Sequence, residues 1–145
     1  MIKERQHRYN CFLSLGSPLM RLVLILTQRS LAAQQIALAE QALKSGKLEV
    51  FFYQDAAALA LSSVFESRLN LIQRRWQTLK ESHGLTLSVC VASALARGVT
   101  DQANSQRHNL LSADQPIDTL LPGFELCGLG ALHEIAERCD RLVSL

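Results

Sequence analysis

Hydrophobic residues in this chain fall into short, dense runs that alternate with longer stretches of mixed polarity. The first run, 21–27, is apolar on both faces, as in the strands of a covered parallel sheet, whereas the longer stretches space apolar residues three and four apart, as helices do. After Leu85, apolar and polar residues alternate up to Cys90, and an Ala-rich, helix-compatible stretch then ends at Gly98. The pattern predicts strands over 21–27, 48–53, 85–90, 123–128 and 140–145, and helices over 31–44, 66–82 and 129–138.

This alternation of strand and helix predicts an α/β fold, with three layers (α/β/α) around a mainly parallel sheet of about five strands. Two segments interrupt the alternation. Residues 56–65 fit either a mobile loop or a short helix. Residues 99–122 are polar and irregular, and a loop of that length in a compact domain usually has a functional or interface role.

The ends of the first two predicted helices carry residues that commonly terminate helices. Ser30 is predicted as the N-cap of the first helix and Gly46 as its end. His83 and Gly84 are predicted to close the second.

The charge is uneven along the 145 residues: the net +2 lies entirely in residues 1–19, and the rest of the chain is neutral. A neutral body argues against direct binding of nucleic acid. Met20 immediately precedes the first strand, so residues 1–19 are predicted to be a flexible N-terminal extension, Met20 the natural start, and 20–145 a single domain. No apolar run approaches the roughly 20 residues of a membrane helix.

Four cysteines, Cys11, Cys90, Cys127 and Cys139, lie far apart, with no C-x-x-C pair and no histidines at zinc spacing. The spacing predicts neither a disulfide scaffold nor a metal site, and it favours a cytosolic protein with reduced thiols. Cys127 and Cys139 are interpreted as packing residues, and Cys11 is assigned no role.

Cys90 differs from the others because it ends a strand immediately before a possible helix start. Backbone N–H groups at such a position can lower a thiol pKa from about 8.5 toward neutrality. The same edge of a parallel sheet would bring the Thr27 loop and Asp55 close to Cys90. A buried cysteine that only packs fits the same spacing, and spacing alone favours it.

Four segments, 20–27, 50–53, 88–99 and 122–132, resemble the DsrE/DsrF-like family. The likeness runs in register from 20 to 145, and it is most specific around Cys90. The resemblance implies that Cys90 is the active cysteine, which accepts sulfane sulfur as a persulfide and relays it to a cysteine of a partner. It implies a sulfurtransferase that needs no cofactor and no metal, because the exchange is thiolate attack on a sulfur–sulfur bond.

The resemblance also implies a pathway and partners. The sulfur would end in 2-thiolation of the tRNA wobble uridine, in the cytoplasm. The partners would be TusB- and TusC-like subunits in a dimer of heterotrimers, a TusA-like sulfur donor and a TusE-like acceptor, with no direct contact to tRNA or a membrane. Alternatives are a subunit acting in sulfur oxidation, as DsrE does, and a structural subunit without chemistry. A nucleotide-binding module is disfavoured, since residues 28–33 contain no glycine for a phosphate loop.

Two departures from the family pattern concern residues near Cys90. Family members carry glycines in the loop at 28–33, and often have two arginines where this chain has Ala96 and Arg97. Arg97 is the candidate to stabilise the thiolate or dock an acidic partner, although a plain cation at a helix C-terminus fits equally well. His108 could approach the thiol or remain a surface residue.

Overall fold

The central element is a five-stranded parallel sheet with the strand order β6-β3-β2-β1-β7. The computed structural model describes residues 20–62 and 66–145, so the predicted extension at 1–19 lies outside the described residues. The strands are β1 Met20–Leu26, β2 Gly46–Phe52, β3 Leu87–Cys90, β6 Phe124–Cys127 and β7 Arg141–Ser144, and a small antiparallel hairpin consists of β4 Leu111–Ser112 and β5 Gln115–Pro116. The predicted α/β class with a parallel sheet of about five strands is confirmed.

In the described part of the chain, five α-helices and two 3-10 segments connect the strands. The helices are α1 Ala32–Ala42, α2 Ser67–His83, α3 Val91–Leu95, α4 Gln102–Arg107 and α5 Leu129–Glu137, and the 3-10 segments are Arg29–Leu31 and Gln54–Ala60. β1, β2, β3 and β6 follow one another across the sheet, so right-handed connections place α1 and α2 on one face. The return from β6 to β7 carries α5 to the opposite face.

The main core lies between the sheet and helices α1 and α2. Trp76 of α2 is fully buried and meets the Phe52 ring edge-on, with 5.3 Å between ring centroids. The Phe52 ring also contacts the Phe124 ring, with 5.2 Å between ring centroids, and the two residues lie on β2 and β6, on either side of β3. Buried Gln73 donates from its amide to the carbonyls of Leu59 and Leu61 at 2.7 and 2.8 Å, which holds the segment after β2 against α2.

Helix ends differ from two of the predictions. Ser30 is not an N-cap: it lies inside the 3-10 segment, and α1 begins after Leu31 without a side-chain cap. Gly46 does not end α1 but begins β2, where a Cβ atom would collide with the carbonyl oxygen of Met20. Gly84 closes α2 as predicted, with φ at +66° and its N–H bonded to Lys80.

The two unassigned segments are more regular than their composition suggests. The segment after β2 forms a short helix at Gln54–Ala60, whereas 63–65 lie outside the described residues. The prediction of an irregular loop at 99–122 is wrong, because it contains α4 and the β4–β5 hairpin. Asp101 caps α4 by accepting the Asn104 N–H at 2.8 Å.

Candidate functional site

Cys90 is the last residue of β3 and the N-cap residue of α3. The strand places it at the carboxyl edge of the sheet, between β2 and β6. The residue is only 2% exposed, so the chain by itself covers the thiol almost completely. Cys90 therefore lies where the sequence predicts it, at the end of β3. It is more enclosed than a thiol that exchanges sulfur needs to be.

The loops that were expected to converge on this edge do so. The N–H of Gln54 donates to Ser93 Oγ at 3.0 Å, which joins the end of β2 to α3. The N–H of Ala56 donates to the carbonyl of Thr27 at 3.1 Å, which joins the same segment to the end of β1. Gln54 adopts a left-handed conformation, with φ at +53°. These two bonds connect the turn after Cys90 to the end of β2 and, through the segment after β2, to the end of β1.

Arg97, the second predicted site residue, makes two polar contacts. Its Nη2 lies 2.6 Å from Asp55 Oδ1, and its Nη1 donates to the carbonyl of Ser93 at 3.0 Å. Arg97 thus spans from α3 to the segment after β2, parallel to the Gln54–Ser93 bond. This arrangement supports a role in holding the turn that carries Cys90.

Cys127 is the neighbour of Cys90 that the sequence interpretation missed. β3 and β6 pair in parallel with Cys90 opposite Cys127. Burial raises the pKa of the Cys127 thiol, and the nearby Cys90 and Glu125 raise it further, against the lowering effects of Ser88 and the Val89 N–H.

The other polar candidates lie elsewhere. His108 is exposed at the C-terminal end of α4, which favours the interpretation as a surface residue. Cys139 precedes β7, at the far edge of the sheet from β3, and its thiol lies 3.1 Å from the carbonyl of Ala136. The loop after β1 forms a 3-10 turn in which Arg29 pairs with Glu66 at 2.9 Å.

One signal in the sequence could have linked Cys127 to the site. Both Cys90 and Cys127 end a strand, and a helix begins within two residues of each. Two cysteines at the carboxyl ends of parallel strands share one edge of the sheet. What the sequence lacks is the strand order, which makes them direct neighbours.

Comparisons with known proteins agree on one family. The model of the DsrE/DsrF-like family matches residues 20–145. Sulfurtransferase TusD of Yersinia pestis (strain Pestoides F) is 40% identical over 119 residues, which cover 81% of this chain and 86% of the relative. The TusD protein of Yersinia pseudotuberculosis (strain PB1/+) gives the same values. The crystal structure of the ychN protein from E. coli covers 88% of this chain and 99% of its own, with a TM-score of 0.55 and 15% identity, which supports the fold.

Proposed function

We propose, from the premise that the chain belongs to the DsrE/DsrF-like family and is a sulfurtransferase, that Cys90 carries sulfane sulfur as a persulfide and passes it to a partner's cysteine. The observation that carries the proposal is the place of Cys90. It is the thiol that ends a central strand at the edge where three loops meet. Open parallel sheets commonly place their chemistry at this edge.

The proposed chemistry needs a thiolate and a sulfur–sulfur bond. The Cys90 thiolate attacks the outer sulfur of a donor persulfide, a new bond forms between Cys90 Sγ and that sulfur, and the donor leaves as a thiolate. An acceptor thiolate then attacks the sulfur held on Cys90, and the electron pair of the breaking bond returns to Cys90 Sγ. Thiols, persulfides and electrons balance in both steps, so neither step consumes a reductant.

The pathway is part of the same proposal. We propose that the sulfur serves 2-thiolation of the tRNA wobble uridine in the cytoplasm, with TusB- and TusC-like subunits, a TusA-like donor and a TusE-like acceptor. The Yersinia relatives are named Sulfurtransferase TusD, which supports a role in sulfur relay. The neutral charge of the chain after residue 19 supports delivery of sulfur through proteins rather than direct binding of tRNA. Within the described residues, no helix is long and apolar enough to cross a membrane.

A second candidate is a structural subunit in which Cys90 only packs. The near-complete burial of Cys90 favours it, because a donor persulfide cannot reach a sulfur atom that stays enclosed. Under the first proposal, the turns at this edge must open locally when a donor or partner subunit binds.

Intact-mass measurement separates the two candidates. The reduced protein is incubated with a cysteine desulfurase, a TusA-like protein and cysteine, with and without TusB- and TusC-like subunits. We expect a gain of one sulfur mass that a reductant reverses and that Cys90→Ser abolishes, while the control Cys139→Ser retains it. Absence of the gain in the assembled complex, with a donor shown to carry sulfur, would contradict the proposal and favour the structural subunit.

A further inference from the structure

Cys127 and Cys90 form a pair of thiols at one edge of the sheet. They are register partners on adjacent parallel strands, and adjacent strands lie about 4.8 Å apart. The residues directly before them in their strands, Val89 and Leu126, pack into the main core. Since successive side chains in a strand point to opposite faces, Cys90 and Cys127 share the other face.

Cys127 differs from Cys90 chiefly in its exposure. Ser88, two residues before Cys90 on the same strand, and the Val89 N–H act to lower the pKa of the Cys127 thiol, but burial outweighs them and raises it. Cys127 is partly exposed, in contrast to Cys90, which is almost fully covered.

We propose that Cys127 is a second sulfur-carrying residue, which takes the sulfane sulfur from the Cys90 persulfide and presents it nearer to the surface. The inference rests on the proposed function, since Cys90 must first acquire sulfur. It also gives the covered thiol an exit, because sulfur moves to the more exposed neighbour without Cys90 itself emerging.

The transfer is an exchange of one sulfur–sulfur bond for another. The Cys127 thiolate attacks the outer sulfur of the Cys90 persulfide, the bond from Cys127 Sγ to that sulfur forms, and the bond to Cys90 Sγ breaks. The electron pair stays on Cys90 Sγ, which takes up the proton that Cys127 released. Attack on the inner sulfur would instead join the two cysteines in a disulfide and expel hydrosulfide.

Cys139 offers a matched control. It is also partly exposed, but it precedes β7, which lies three strand positions from β3, or about 14 Å across the sheet. Cys139 is therefore accessible to the same reagent but lies far from Cys90 in the sheet.

The test follows sulfur on each cysteine separately. The full chain is reduced, assembled with TusB- and TusC-like subunits, mixed with glutathione persulfide, quenched at intervals with iodoacetamide and digested with trypsin. Cleavage after Lys80, Arg97, Arg107 and Arg138 places Cys90 in peptide 81–97, Cys127 in 108–138 and Cys139 in a third peptide. A persulfide adds one sulfur mass to the alkylated peptide that carries it.

In the unaltered chain we expect sulfur on Cys90 first and on Cys127 afterwards. Cys90→Ser should lower labelling of Cys127 at least tenfold. Cys127→Ser, which keeps a polar group opposite Cys90, should retain the label on Cys90, and Cys139→Ser should behave as the unaltered chain does. Circular dichroism of each variant checks that it folds.

Three results would overturn the proposal. Labelling of Cys127 at the same rate in Cys90→Ser would show direct reaction with the reagent, and a labelled Cys90 with a bare Cys127 would show no transfer. A Cys90–Cys127 disulfide with released hydrosulfide would show attack on the inner sulfur. Each of these leaves Cys90 as a sulfur carrier, whereas a chain that gains no sulfur on Cys90 from this reagent or from the enzymatic donor refutes the proposed function as well.

Discussion

The ion pair between Arg97 and Asp55 permits a test of what Arg97 contributes to the site. The structure joins the guanidinium both to the Asp55 carboxylate and to the carbonyl of Ser93, at the turn that carries Cys90. If Arg97 positions this turn, removal of either partner of the ion pair should have related effects. If it stabilises the thiolate or docks a donor, only its own removal should affect sulfur uptake strongly.

The expected energies follow from exposure. The Asp55 side chain is 74% exposed and that of Arg97 29%, so the ion pair is screened by solvent and is worth about 0.2–1 kcal/mol. The bond from Arg97 to the Ser93 carbonyl adds about 0.5–1.5 kcal/mol. Asp55→Asn should therefore cost less than about 1 kcal/mol, and Arg97→Met about 1–2 kcal/mol, or roughly 2–4 °C in Tm per kcal/mol for a chain of this size.

The assay combines urea denaturation with the rate of persulfide formation on Cys90, for both single variants and the double variant. A positioning role predicts that both single variants slow sulfur uptake by less than about fivefold, the equivalent of 1 kcal/mol. It also predicts a double variant no slower than Arg97→Met, because both changes break the same contact. Loss of more than tenfold in Arg97→Met, with Asp55→Asn unchanged, would refute this reasoning and assign Arg97 to the sulfur or the donor.

Three further predictions concern stability and use chemical denaturation at fixed temperature. Trp76→Ala should cost about 3–5 kcal/mol, whereas Trp76→Phe should cost at least about 2 kcal/mol less, because it keeps an aromatic ring against Phe52 while it removes a buried indole N–H without a partner among the described residues; equal losses would contradict this. Gly46→Ala should destabilise by roughly 1–3 kcal/mol through collision with the Met20 carbonyl, while the control Gly130→Ala, where a Cβ meets nothing, should not. Burial raises the pKa of the Cys127 thiol in the folded chain, so the unfolded chain loses this proton first as the pH rises above the ordinary thiol value of 9.0. The free energy of unfolding should therefore fall above that pH, and it should fall less steeply in Cys127→Ser. Identical slopes would refute the assignment.

The hydrophobic pattern predicts the main strands and long helices because burial dictates their periodicity. Leu69, Ile72 and Trp76, spaced three and four apart, are buried on α2 as expected. Local rules fail where tertiary contacts decide. Glycine is common at helix ends, yet Gly46 lies where β1 and β2 approach so closely that no Cβ atom fits.

The hairpin at Leu111–Ser112 and Gln115–Pro116 shows a second limit of local rules. Its two turn residues, Ala113 and Asp114, both have positive φ, at 50° and 61°, as a type I′ turn requires. The usual sequence signal for that turn is Asn-Gly or Asp-Gly, which is absent here. Alanine has no preference for the left-handed region, so the sequence gives no indication of the turn.

Strand order determines which residues become neighbours at the carboxyl edge of the sheet. From the sequence, Cys90 could be assigned to the edge of the sheet, because a strand that passes into a helix exposes its last residue there. Cys127 carries the same local signal, but its proximity depends on β6 pairing with β3 rather than with β7 or β1. A chain with another strand order would leave the two thiols several strands apart, and neither periodicity nor spacing distinguishes the alternatives. Under the proposed transfer, the enclosed position of Cys90 would limit loss of sulfur to solvent, because the register of β3 and β6 places a more exposed thiol beside it.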